Sequence, residues 1–183
     1  QLLQRLGIDF DCVPSKVDEK ALKSQISSPI ELTQELSLAK AKAVLKNFQD
    51  AIIIGSDQVC YFDGRILGKT GSLDISFQQL KEMSGKEHKL ITSYAIIDSD
   101  RQTLHTNETI LLMRELSDVQ IKNYLSTDNP IDCAGSYKLE LNGISLFKKI
   151  STNDHTAIIG LPLLNLGTDL LDWGISVPGD EGR

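Results

Sequence analysis

Apolar and polar positions follow two periods along this chain, and the switches between them mark its elements. "QLLQRLG" (1–7) reads as the last turns of a helix closed by Gly7, because glycine takes the left-handed conformation at a helix end. Residues 8–13, "IDFDCV", alternate apolar and polar and predict a half-exposed strand. Ser28-Pro29-Ile30-Glu31 is a helix start: Ser28 can accept from a backbone N–H, Pro29 suits the first helical position and Glu31 completes a capping box. Leu32, Leu36, Ala39 and Ala43 then fall at helical spacing, predicting a helix to about Phe48. The aliphatic run from Ala51 predicts a buried strand over 51–55, which breaks into the polar stretch Ser56-Asp57-Gln58.

Val59 to Phe62 and Arg65 to Leu67, joined by Asp63-Gly64, predict a hairpin. Ser72 caps a helix with Leu73, Phe77 and Leu80 on one face, stopping at Gly85. Residues 88–97 and 102–113 predict a long β pair around "DSDR", and Ser117-Asp118-Val119-Gln120 opens a short helix that ends before Asn129-Pro130. "SYKLEL", Asn142-Gly143 and "ISLFKKI" predict a further hairpin, and a last helix over 163–173 is closed by Gly174. Interleaved helices and hairpins predict an α/β or α+β fold, a mixed sheet with flanking helices.

Composition narrows the function classes. The 183 residues are 40% hydrophobic and 24% charged, ordinary for a globular chain with one sizeable core. Uninterrupted apolar runs reach only four or five residues, too short to span a membrane, and the first residues lack a signal-peptide pattern. Cys12, Cys60 and Cys133 are isolated and odd in number, which fits reduced thiols and a cytoplasmic location. With a net charge of -6 and no basic run longer than two, the chain is poorly suited to a nucleic-acid polymer. A small anionic ligand remains open, since a few lysines and a metal ion can make a local positive site.

Asp57 is the leading candidate for chemistry. Ligands in α/β folds gather at the carboxyl ends of strands, and a carboxylate desolvated there needs a cation partner. A turn or cap aspartate accounts for the local pattern equally well. Lys69, in "LGKT", can lie back toward Asp57 and meet phosphate, or be a surface lysine. Asp18-Glu19 stands in a polar loop, where two carboxylates can hold Mg²⁺ through oxygens. Lys40 and Lys42 lie on the helix that follows, and by pattern Lys42 is solvated.

An ordered set of segments changes the picture. "VDE" (17–19), "LAKAKA" (38–43), "IGSDQV" (54–59), "ILGK" (66–69), "MSGKEH" (83–88), "NPIDCAGSY" (129–137) and "IIGLPL" (158–163) together resemble the Maf family of nucleoside triphosphate pyrophosphatases. The resemblance runs over almost the whole chain. It implies one Maf-like domain over 1–183, with a Maf/ITPase-like α/β fold whose two lobes flank a central substrate cleft. It also implies a cytoplasmic enzyme that uses a divalent cation, Mg²⁺ or Mn²⁺, to cleave between the α- and β-phosphates. The expected partner is a small nucleoside triphosphate, not a nucleic-acid polymer or a membrane, and a homodimer is the assembly to test.

Carried over residue by residue, Asp57 matches the family's catalytic base, and Glu19 and Lys42 match its acidic and basic cleft residues. Asp57 and Glu19 would be the metal ligands. Lys69 matches the lysine of a Gly-Lys-Pro motif whose proline is here Thr70. "GSDQV" and "CAGSYKLE" resemble the 7-methyl-GTP subgroup, which makes Gln58 and Glu140 the specificity residues. A carboxylate only accepts hydrogen bonds, and guanine offers two adjacent donors where thymine presents acceptor, donor and acceptor. Glu140 therefore suits guanine, and its charge suits a methylated, cationic base. The role implied is house-cleaning of modified nucleotides. The alternatives are a dTTP/UTP pyrophosphatase of the same family and a non-catalytic nucleotide-binding regulator of cell division. One departure stands out: the family's N-terminal strand and arginine-bearing phosphate loop would precede Gln1 and are expected to be missing here.

Overall fold

The computed structural model describes residues 2–179. Among these residues five α-helices, α1 (Glu19–Gln25), α2 (Pro29–Leu45), α3 (Leu73–Met83), α4 (Asp118–Asp128) and α5 (Leu163–Asp172), accompany five strands. The strands are β1 (Ile53–Phe62), β2 (Arg65–Leu67), β3 (Glu87–Ile97), β4 (Gln102–Met113) and β5 (Phe147–Ser151), in the sheet order β2-β1-β3-β4-β5. The sheet is antiparallel, so the α/β class holds while the mixture lies in helices and strands, not in strand direction. Residues 2–58, 92–107 and 154–179 form one compact unit, and Val59–Ile91 with Glu108–Asn153 form a second.

Local chemistry accounts for most element boundaries. Ser28 accepts from Glu31 N–H and Pro29 opens α2, while Ser72 accepts from Ile75 N–H at the start of α3. Ser117 and Gln120 form a reciprocal capping box at α4. Asp63 and Gly64, with φ of 50° and 76°, make the tight turn of the first hairpin, in register Phe62↔Arg65 and Cys60↔Leu67.

Four expectations are corrected. Residues 8–18 are irregular, because an alternating segment becomes a strand only beside a partner and none pairs with it among the described residues. The opening turn, Leu3–Leu6, is a 3-10 helix, closed by Gly7 at φ 65°. The buried strand does not end at Gly55: β1 continues through Ser56, Asp57 and Gln58, all paired within the sheet. Finally, 138–146 is not a hairpin arm. Leu141 and Gly143 N–H both donate to Lys138 C=O, the chain closes on itself, and only Phe147–Ser151 pairs, with β4.

In the first unit α5 lays Leu163, Leu166 and Leu170 on Tyr94 and Ile96 of β3, with Trp173 at its end. On the other side α2 packs Ala41 against Ala95 and Ile97. Its buried face also carries hydroxyls: Thr33 meets Ser93 at 2.8 Å, and Ser37 donates to Ser93 C=O at 2.9 Å. Gly55 completes this seam, since a Cβ there would stand 2.3 Å from Ser37 C=O. In the second unit α3 and α4 pack together, burying Leu80, Met83, Ile121 and Leu125.

Candidate active site

Asp57 stands mid-strand on β1, its side chain only 9% exposed. A carboxylate so placed is costly unless a cation meets it. Lys40 of α2 meets it, with Nζ 2.5 Å from Asp57 Oδ1. The same ammonium lies 2.9 Å from Glu19 Oε1, and the other oxygen of Glu19, Oε2, accepts from Lys23 Nζ at 2.7 Å. Charges therefore alternate along a chain of four residues: Lys23, Glu19, Lys40, Asp57.

Each member is placed by its element. Asp18 caps α1 by accepting from Lys20 and Ala21 N–H, which starts a helix where a loop was expected. Glu19 becomes the first residue of that helix, and Lys23, four residues on, shares its face. Lys40 extends the Leu32–Leu36 row of α2 by one more turn, at the rim of the buried face. The absence of a side chain at Gly55, two residues before Asp57, lets α2 approach β1 closely enough for the contact.

Electrostatics follow from this packing. Hydrogen bonds from Lys23 and then Lys40 hold the Glu19 carboxyl down at about 2. Burial pushes the Asp57 carboxyl up from its ordinary value, against the pull of Lys40. Burial also works against the charged form of Lys40, but its bonds to Asp57 and Glu19 win and keep it protonated to higher pH than usual. Asp57 is thus a buried carboxylate with raised proton affinity beside a fixed cation, the electrostatic character of a general base.

The other sequence candidates are not members of this chain of contacts. Lys42 is exposed; two residues beyond Lys40, it points about 200° around the helix and does not join the Asp57 cluster. Lys40, to which the sequence pattern assigns no role, is the lysine that meets Asp57. Its signal was present: a lysine in line with Leu32 and Leu36 needs a carboxylate. Gln58 turns its amide nitrogen to Thr92 Oγ1 and to the carbonyls of Ala157 and Ile158, at 2.8, 2.8 and 3.1 Å. Its Oε1 is what it retains for a ligand. Lys69 and Glu140 belong to the second unit. Lys69 pairs by its backbone with Ala134, and Glu140 is exposed in the turn before Asn142–Leu146.

The donor chemistry suits a divalent cation of the Mg²⁺ or Mn²⁺ type. Among the described residues no three Asp, Glu, His or Cys side chains converge. Asp57 and Glu19 share one cation position, now filled by the Lys40 ammonium, and Mg²⁺ is commonly held by one or two carboxylates with phosphates and water. A cavity of about 600 Å³ in the first unit is a separate feature: Phe10, Val13, Val44, Ile52 and Ile54 line it, with Ser56, and none of the four cluster residues does. No helix among the described residues is long and apolar enough to cross a membrane.

The arrangement is that of a small α/β protein with an antiparallel sheet, in which Asp57 of β1 is held against Lys40 of α2. The chain belongs to the Maf family: residues 1–172 match the family described as Maf-like protein. It is similar to proteins named 7-methyl-GTP pyrophosphatase from several bacteria. With that of Bdellovibrio bacteriovorus it shares 42% identity, over 91% of this chain and 87% of the relative. With that of Xanthomonas axonopodis pv. citri the identity is 41%, over 97% and 92%. With that of Syntrophotalea carbinolica it is 39%, over 99% and 92%.

Proposed function

We infer that this protein hydrolyses 7-methyl-GTP to 7-methyl-GMP and pyrophosphate, a house-cleaning reaction on a modified nucleotide. The observation that carries the chemistry is the buried Asp57 held against Lys40, whose ammonium also meets Glu19. The names of the relatives support the substrate. Water attacks phosphorus, the α–β phosphoanhydride bond breaks, and pyrophosphate leaves with the bond's electron pair. Asp57 orients the water and takes its proton, which its raised proton affinity favours. Lys40 and Lys69 present ammonium groups to phosphate oxygens, where charge must be neutralised. A divalent cation held by Asp57 and Glu19 would supply further charge neutralisation on the phosphates. Glu140 accepts from the adjacent N1–H and amino donors of guanine, and Gln58 offers the base Oε1.

Two measurements test this reading. Asp57→Asn keeps the shape and an acceptor for Lys40 but removes the base, so turnover should fall at least about a hundredfold. Near-normal turnover removes Asp57 from the mechanism. A panel of 7-methyl-GTP, dTTP and UTP, run with Mn²⁺ on the wild type and Glu140→Gln, tests the substrate. The wild type should prefer 7-methyl-GTP and the variant should lose that preference; a wild type that prefers dTTP or UTP overturns the assignment.

A further inference from the structure

The four-residue chain is neutral as it stands: two ammonium groups occupy three of the four oxygens of Asp57 and Glu19. Lys40 Nζ sits where a metal shared by both carboxylates would sit, at 2.5 and 2.9 Å from their oxygens. Lys23 covers the remaining oxygen of Glu19. A bare divalent ion arriving here must break charge-assisted bonds to a lysine that meets no other anion among the described residues. A metal–triphosphate brings that anion with it.

We propose that Lys40 and Lys23 are internal counter-cations that reserve Asp57 and Glu19 for the metal–nucleotide complex, with Lys40 exchanging its carboxylates for phosphate as the complex enters. This rests on the metal and site assignment above and adds an order to it: the divalent cation binds weakly alone and well only with the triphosphate. Lys40 then has two opposite effects, excluding free metal and attracting phosphate. Lys23 has only the first, because it touches Glu19 and not Asp57.

The test is binding without turnover. Calorimetric titration with MnCl₂ alone, and with MnCl₂ plus the non-hydrolysable α,β-methylene analogue of GTP, is compared across wild type, Lys40→Met, Lys23→Met, Lys42→Met and Asp57→Asn. Removing a unit charge adjacent to a divalent ion should tighten Mn²⁺ binding at least about tenfold in Lys40→Met, and about threefold in Lys23→Met, whose charge is farther from Asp57. Lys42→Met, an exposed lysine outside the cluster, should change it less than about twofold. In the presence of the analogue the order reverses for Lys40→Met, which should bind more weakly than wild type. Unchanged or weakened Mn²⁺ binding in Lys40→Met overturns the proposal, as does an equal gain in Lys42→Met. If Asp57→Asn binds Mn²⁺ as wild type does, the metal assignment itself fails.

Discussion

Replacing Gly55 by alanine is the sharpest probe of how the fold builds the site. The added Cβ would lie 2.3 Å from Ser37 C=O, 2.9 Å from Ala41 N and 3.0 Å from Ala41 Cβ. All three belong to α2 and two are backbone, so no rotamer change relieves the contact. The helix must retreat by about 0.7 Å or more to bring the closest approach to even 3.0 Å. Overpacking of this kind costs roughly 1–3 kcal/mol, which for a chain of this size is a fall in Tm of about 3–10 °C. Lys40 precedes Ala41, so the same retreat lengthens its 2.5 Å bond to Asp57 and weakens it. Pyrophosphate release from 7-methyl-GTP should drop by more than the population unfolded explains, at least about tenfold, because a misplacement near 1 Å can cost a hundredfold. Gly68→Ala is the control for stability: nothing lies within 4 Å of its Cβ position, and its Tm should stay within about 2 °C of wild type. A Gly55→Ala protein that melts and turns over like wild type refutes the argument that the bare backbone at this position sets the lysine–carboxylate distance.

Two groups outside the lysine–carboxylate cluster make readable predictions. His88 donates or accepts at Tyr137 Oη through Nε2, at 3.0 Å, while its Nδ1 is buried with no partner among the described residues, and burial lowers its pKa from 6.5 to about 4. Between those values the unfolded chain binds the proton and the folded one does not, so stability falls as pH drops through that window, by about 2 kcal/mol at pH 5. Melting curves from pH 7.5 to 4.5 should show this loss, and His88→Gln should flatten it; an equally steep curve in the variant refutes the assignment. Gln58→Leu removes one donor from Ile158 C=O and one from Ala157 C=O, which keeps Thr92 Oγ1 and Gly160 N–H, and should cost about 1 kcal/mol in urea unfolding, the net worth of a typical hydrogen bond. A midpoint equal to wild type would show that the amide is not holding that segment.

The fold was legible where a boundary is written in local chemistry. Ser28-Pro29, Ser72, Ser117 with Gln120, and Asp63-Gly64 each act within a few residues, and each starts or turns an element where the sequence says it should. It was illegible where a neighbour decides. "IDFDCV" and "SYKLEL" alternate like strands, but alternation only describes two different faces; backbone pairing requires an edge to pair with. The first finds none among the described residues, and the second folds back on Lys138 before β4 can take it. The short helix α1 was hidden for the opposite reason, its Asp18 cap standing in a segment too polar to carry an apolar stripe.

The candidate site divides along the same line. Asp57 could be picked out because an acidic residue after an aliphatic run is costly in any fold that buries the run. Choosing between Lys40 and Lys42 needed the phase of α2, and that phase is set by a buried face that includes Thr33 and Ser37. Read by apolar residues alone, with Ala39 and Ala43 taken as inward, the stripe is rotated and Lys40 loses its place on it. Counting hydroxyls as core restores Leu32, Thr33, Leu36, Ser37 and Ala41 to one face and puts Lys40 at its rim, over β1. Hydroxyls can sit inward here because Ser93 of β3 meets two of them, its C=O accepting from Ser37 Oγ and its own hydroxyl bonding that of Thr33, so the polar seam is satisfied within itself. The seam that obscured the helix phase in the sequence is therefore the same one that fixes the lysine against its carboxylate.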